Sequence, residues 1–418
     1  MNALSGDTSL FAEVDGKYGV YNLRELFEQH KQGRTIRVPT LLDERGNKGW
    51  IEVEDVVNFG MQPLKRITLA SSRLFVEIFG NAIIPAYFNA IFSGNKRITL
   101  KFKFINEIKV TRNGKNNDKL LLTTRIPLNL PEGDQKEWEY GFALGFFIAE
   151  GTFEYRKRLF RKKSLTTLNG LARKKGMTLD EYLNFMTNVA GVRLALGKTD
   201  FERGYVNILQ RHFKFATPHK HKNSNAFQLF SSDLSLIHLI KDYLDGSTSH
   251  DKHLKNEAYN RSWKFLEGIL DGYLSGDGSY DAKKDSFLVN LTTNYKLYNN
   301  LIFISKVLGY DPHRNKDHFE KSPFPLYEKV YHYLQLSIFK NWHRHTAFGL
   351  VKEHIKSIED VGEREAFNLV LKQLYSENDK RAKFNHLFFT AYGFLVSDAV
   401  KTLDRSVLSS SLPVPVSG

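Results

Sequence analysis

The chain has 418 residues, 41% of them hydrophobic and 13% aromatic, and its 60 Lys/Arg against 46 Asp/Glu give a formal charge of +14. That length allows two or three cores, and the apolar and aromatic content excludes a disordered chain. The absence of cysteine excludes disulfides, thiolate zinc sites and cysteine nucleophiles.

The first residues, MNALSGDTSLF, lack the basic start and long apolar run of a signal peptide, and no apolar stretch reaches the length of a bilayer span. The expectation is an intracellular protein, cytoplasmic or wherever its target lies, with no membrane partner. Residues 1–128 read as all-β. The β-prone runs GKYGVYNL, TIRVPTLL, GWIEVEDVV, KRITLASSRLFVEIF and RITLKFKF are separated by turn-formers such as DERGN and SGNK.

From 129 to 345 helix and strand patterns alternate, and they do so twice, in halves of about 138–250 and 260–345. After ALGFFIAEGTF come a basic strand region, NAFQLFSS and the helical DLSLIHLIKDYLDG. After LDGYLSGDGSY come FLVNLTT, the helical NYKLYNNLIFISKVLG and VYHYLQLSIF. The parallel order reads as an internal duplication of one α/β unit. The segment 164–190, helical in pattern, has no counterpart in the second half and reads as an insertion. Residues 346–399 return to β patterning, and 400–418 read as an unstructured Ser/Pro-rich tail.

The charge excess is clustered. YRKRLFRKK at 155–163 holds Arg156, Lys157, Arg158, Arg161, Lys162 and Lys163; LARKK follows at 171–175, and HFKFATPHKHK at 212–222 includes His219, Lys220 and Lys222. One such run is ordinarily a solvated face. Three, interleaved with Phe and Tyr on so basic a chain, point to a polyanion, with nucleic acid the leading partner. PHKH at 218–221 and HRH at 343–345 lack a matching ligand pair and read as phosphate-contacting loops rather than metal sites.

The chemistry concentrates in the two acidic-glycine segments. Each reads as a helix ending near Glu150 or Asp277 with Gly151 or Gly278 as terminator, and Gly145 and Gly272 lie where two helices could approach closely. Packed together, the helices bring both acids to one end. Two adjacent carboxylates repel unless a divalent cation lies between them, and Mg²⁺ suits carboxylates combined with phosphate oxygens. Two amphipathic core helices with incidental acids are the plainer alternative.

ALGFFIAEG and LDGYLSGDG resemble the two copies of the motif of LAGLIDADG homing endonucleases, and their separation of 127 residues suits a single-chain, pseudo-dimeric member with an insertion. The resemblance implies two αββαββα halves, each laying a sheet in the DNA major groove. It implies a monomeric enzyme in which Glu150 and Asp277 bind Mg²⁺ and cut both strands of double-stranded DNA. Lys222 and Lys340 are candidate assisting bases from strand position alone, with a plain phosphate contact as the alternative role.

The flanks carry a second resemblance. ALSGDT at 3–8 resembles the first block of an intein, and KSIEDVG, AFNLVLK and HLFFTAYGFLVSDA resemble the closing blocks, so the β flanks resemble a hedgehog/intein-type domain interrupted by the endonuclease. Its splicing residues are replaced. Ala3 stands for the first nucleophile, Asn81 for the block histidine, Ser397 for the penultimate histidine, Asp398 for the terminal asparagine and Ala399 for the following nucleophile. A methyl group cannot attack a carbonyl and aspartate does not cyclise as asparagine does, so no splicing is expected. The competing functions are a DNA- or RNA-binding protein without cleavage, such as a decayed endonuclease or a maturase, and an active splicing element.

Overall fold

The computed structural model describes residues 2–87, 100–110, 118–155, 165–174, 178–179, 181, 189–220, 226–292, 294–321, 330–340, 346–347 and 349–399. The fold is mixed α/β and divides into two compact units. One comprises Met1–Leu128, Gly309–Asn315 and Phe339–Gly418; the other comprises Asn129–Leu308 and Lys316–Ile338.

The first unit is built on an 11-stranded sheet. Its spine is two 22-residue strands, Lys48–Leu69 and Leu350–Leu371, paired antiparallel from Val53↔Leu371 to Leu69↔Ile355 with several register shifts. The short strand Leu4–Ser5 lies between Phe75–Phe79 and Leu350–Leu371, with Leu4 opposite both Ile78 and Phe367. A small hairpin pairs Leu387–Phe389 with Leu395–Ser397.

This unit is not all-β, as its sequence suggested. A helix, α1 (Leu23–Lys31), follows the strand Lys17–Asn22 directly. Asn22 accepts from Glu25 N while the Glu25 carboxylate accepts from Asn22 N, the reciprocal cap that Asn-x-x-Glu provides. Leu23 and Leu26 supply its buried face. The β-prone GKYGVY before it masked the cap in the sequence.

The second unit contains α2 (Gln135–Glu150), α3 (Leu165–Lys174), α4 (Lys198–Glu202), α5 (Tyr205–Gln210), α6 (Leu234–Tyr243), α7 (Trp263–Asp277) and α8 (Tyr295–Leu308). It holds two four-stranded sheets. The first runs Gly151–Tyr155, Val189–Leu196, Phe227–Ser231, His219–Lys220 across the sheet; the second runs Gly278–Asp281, Ser286–Thr292, Val330–Phe339, Asp311–Lys321. In the last of these, residues to Asn315 group with the first unit.

Numbered along the chain, both sheets have the order 1-2-4-3, and each begins on the residue after an acid-bearing helix. That shared order corrects the element pairing expected from sequence. Helix α8 lies between the second and third strands of its half and so corresponds to α4 and α5, not to α6, which follows the fourth strand. The apolar pattern of α6 imitates that of α8, and pattern alone does not carry topology. The halves also differ in their first connection. Asp281 and Ser286 are joined by a tight turn, whereas the first half has α3 between Tyr155 and Val189.

Candidate functional site

Helices α2 and α7 lie back to back along their glycines. A Cβ on Gly141 would stand 2.1 Å from the Phe265 carbonyl oxygen, and one on Gly145 would stand 2.0 Å from that of Ile269. Reciprocally, Gly268 and Gly272 would strike the carbonyls of Trp138 and Phe142 at 2.1 and 2.2 Å. No side chain fits at any of the four, so the backbones themselves make the contact. Gly141 and Gly268, one turn before the glycines singled out in the sequence, do as much as they do. Phe142, Phe146, Phe147, Phe265, Leu266 and Ile269 close the flanks, all buried.

The starts of the two helices are tied as well. Asp134 and Ser262 cap them, Arg261 Nε and Nη2 each donate to Glu137 at 2.8 Å, and Trp138 Nε1 donates to Asp271 at 3.1 Å.

At the other end the helices stop together. Gly151 and Gly278 terminate the helices as expected, with φ of −96° and −90°, extended rather than left-handed. Glycine is required there for space, since a Cβ would lie 2.6 Å from the Phe147 carbonyl or 2.4 Å from that of Leu274. The chain thus leaves each helix straight into the first strand of a sheet, with the acid as the last helical residue.

Glu150 and Asp277 meet at this end. A Cβ on Gly276 would lie 3.0 Å from Glu150 Cγ, and each acid responds to the electrostatics of its surroundings. Burial, then the charges of Asp277 and Asp200, push the Glu150 carboxyl up to about 7, against the opposing pull of Lys252. Asp277 reaches solvent, yet the crowding helix ends strip enough water from it to raise its carboxyl too, against a hydrogen bond from Tyr273 and the charge of Lys252. Glu139, a buried acid eleven residues earlier on α2, is the contrast. Burial would raise it, but hydrogen bonds from His212, Arg211 and Gln135 outweigh that and hold it below its usual value. Glu139 is ion-paired with Arg211 and His212, whereas Lys252, the cation whose charge acts on Glu150 and Asp277, donates its hydrogen bonds to backbone carbonyls.

Lys252 was missed in the sequence. It is 2% exposed, and its ammonium donates to the carbonyls of Phe147 at 3.1 Å, Ile148 at 3.0 Å and Gly151 at 2.6 Å, capping the C-terminal end of α2. A cation at a helix C-terminus complements the dipole and satisfies carbonyls left without partners. Burial lowers its pKa to about 8, with Asp277, Glu150 and Asp251 pulling the other way. Its segment is pinned by Asn294, whose side chain donates to the carbonyls of Ser249 and Lys252 while capping α8 through Leu297 N. The only sequence signal was an isolated lysine between two histidines, His250 and His253.

The other candidates separate. Arg156, Lys157, Arg158, Arg161, Lys162, Lys163 and Lys222 lie outside the described residues. His219 and Lys220 form an exposed edge strand of the first sheet. Lys340 is exposed just after the strand Val330–Phe339 and groups with the first unit, while Asp277 belongs to the second. The sheet faces turned away from the buried helix side carry Thr152, Arg193, Gln228 and His219 in the first half. In the second they carry Ser279, Asn290 and Gln335, with Gln335 Nε2 donating to Asn290 at 2.8 Å.

In the first unit the two ends of the described chain are clamped together. The Asn2 side chain donates to the Asp398 carbonyl at 3.1 Å, and Asn368 Nδ2 donates to the carbonyls of Asn2 at 2.9 Å and Ser397 at 3.1 Å. Ala399 N donates to Leu369 O at 2.7 Å, and His386 Nδ1 lies 3.2 Å from the Asp398 carboxylate. Ala3, Ser397 and Asp398 are all buried here. Asn81 is exposed, two residues beyond the Phe79 N–H that donates to the Ala3 carbonyl.

No group of three or more His, Cys, Asp or Glu among the described residues could hold a metal ion by itself. Two hard carboxylates converging at one helix end do fit Mg²⁺, which commonly takes one or two carboxylates and completes its shell with water and phosphate oxygens. No described helix is long and apolar enough to cross a membrane.

No family model matches this chain, and no curated protein matches it. Among solved structures, it is similar to one described as the crystal structure of an intein from a hyperthermophile. The two share 17% identity over 29% of this chain and 73% of that one, with a TM-score of 0.23, a likeness too slight to carry a fold assignment.

Proposed function

We propose that this chain is a Mg²⁺-dependent, site-specific double-strand DNA endonuclease of the LAGLIDADG type, set in an intein-type β frame that does not splice. The observation that carries the proposal is the convergence of Glu150 and Asp277 at the end of a glycine-packed helix pair, both carboxyls raised by burial. The repeated 1-2-4-3 sheets, each leading out from one acid, support a two-fold division of labour over two strands of DNA.

In this reading Glu150 and Asp277 hold the divalent ion, which supplies charge neutralisation at the phosphate and a more nucleophilic water. Lys252 fixes the end of α2, and with it the position of Glu150, through its three carbonyl contacts. The polar sheet faces contact the bases, and the exposed His219 and Lys220 contact phosphates. Ala3 and Asp398 leave the clamped ends of the frame without a nucleophile or a cyclising amide.

The test is incubation of a randomised-site duplex library with the protein in Mg²⁺ and in EDTA. Metal-dependent double-strand cuts at one long sequence are the expected result. Salt-sensitive binding with no cutting would instead identify a nucleic-acid-binding protein, and a chain mass below that of the full polypeptide would identify a splicing element.

A further inference from the structure

The sheet of the first half buries a carboxylate on the face turned away from the helices. Glu154 is only 7% exposed, yet it shares a face with the exposed Thr152, two residues back on the same strand, while the buried Phe153 between them takes the other. Arg193, opposite Thr152 on the neighbouring strand, reaches it, with Nη2 2.9 Å from Glu154 Oε1. Phe230, opposite Arg193 on the third strand, leans over Gly191, the residue opposite Glu154; a Cβ there would stand 2.5 Å from the ring. Glycine at 191 thus makes room for the ring beside the ion pair. The Arg193 side chain remains 41% exposed, so its five-donor fork is held by Glu154 with donors left over. In the second sheet Gly278 opposes Val289 as Gly151 opposes Leu194, so the counterpart of Thr152 and Arg193 is Ser279 and Leu288. Leucine offers no donor at that place.

Resting on the endonuclease reading above, we infer that Arg193 reads a guanine in one half of the DNA site, and that Glu154 is the residue that positions it. A carboxylate on a surface that meets a polyanion repels it, and Glu154 offsets that cost through the cation it orients. Adjacent strands lie about 4.8 Å apart, so four strands span roughly 14 Å, against a major groove of about 12 Å. The outermost strands therefore meet the phosphates, and the inner strand Val189–Leu196 meets the base edges. Thr152 and Ala195, short and exposed beside Arg193, leave the approach open. A guanidinium held on one side presents its remaining donors in a fixed plane, the arrangement that meets O6 and N7 of guanine together. A phosphate contact from the same side chain would carry no sequence preference.

The experiment is selection of bound duplexes from a randomised library in EDTA, followed by titration of the full chain against the selected duplex and its single-base-pair variants. Circular dichroism confirms folding. The unaltered chain is expected to require a G·C pair at one position, binding the other pairs there about tenfold more weakly. Arg193→Ala deletes the fork, Arg193→Lys keeps the charge without the fork, and Glu154→Gln keeps the shape but releases the arginine. Each is expected to flatten the preference at that one position and to leave every other position unchanged, which loss of a merely structural ion pair would not do. If Arg193→Ala instead weakens binding evenly across all base pairs, with a salt slope shallower by about one, Arg193 is a phosphate contact and the inference is overturned while DNA binding stands. A base preference unmoved in all three variants would overturn it as well. No duplex binding by the unaltered chain would overturn the endonuclease reading, and the inference with it.

Discussion

Around Ala3 and Asp398 the described chain is tied by a dense set of buried hydrogen bonds, and neither residue offers a nucleophilic hydroxyl or thiol or a side-chain amide. Asn2, Asn368, His386 and the Ala399 N–H converge on a buried point whose central side chains are a methyl and a carboxylate. Around Glu150 and Asp277 the balance is reversed. Two carboxylates stand at the end of a glycine-packed helix pair, both raised by burial against the opposing charge of Lys252. The comparison teaches that a tightly bonded, buried geometry need not deliver reactive groups, so function has to be read from the groups that the geometry delivers.

The largest effect expected is on the scaffold of the helix pair. Gly272→Val places a side chain 2.2 Å from the Phe142 carbonyl, so the helices must part. Overpacking of this severity costs about 3 kcal/mol or more and should abolish cooperative thermal unfolding of the second unit. At the junction, Asn368→Ala removes buried donations to Asn2 and Ser397 and the acceptor for Leu369 N. A loss of about 2–3 kcal/mol in the first unit is expected by denaturant titration, with cation binding unchanged. An effect of Asn368→Ala on cation binding would break the separation drawn between the two regions.

Lys252→Met sharpens the reading of the helix end. It leaves three carbonyls without their donor. The expected results are lower thermal stability and a weaker response to Mn²⁺, because the end of α2 that positions Glu150 loses its anchor.

The smallest effect concerns pH. Glu150 is raised from an ordinary 4.5 to about 7, so the folded chain holds that proton more tightly than the unfolded one. Stability therefore falls as pH rises from about 4.5 and levels off above about 7. Glu150→Gln is expected to raise the melting temperature of the metal-free protein at pH 8 and to leave it nearly unchanged at pH 4. Adding Mg²⁺ should narrow the difference at pH 8. A larger gain at pH 4 than at pH 8 would contradict the assignment of the shift.

Much of the helix pair was legible in the sequence because small residues at a four-residue spacing leave few other packings. ALGFFIAEG and LDGYLSGDG gave the helices, two of the four contact glycines and both acids. Lys252 was not legible as part of the site. It reaches the site from a loop 102 residues after Glu150. Helix α1 was hidden by the β-prone run before it, and the correspondence of α8 with α4 and α5 was hidden by the similar amphipathicity of α6. Lys222 and Lys340 were chosen by position along strands, a criterion that says nothing about which side chain a fold carries to a helix end.

The most direct test of the central claim sets the unaltered protein beside the Glu150→Gln, Asp277→Asn double variant, with DNA binding and Mg²⁺-dependent cutting measured on the same duplex. The account predicts that the variant binds the duplex, with the steep salt dependence of phosphate contacts, and does not cut it. Loss of binding and cutting together, with the fold disturbed, would show the two acids to be structural and would contradict the account.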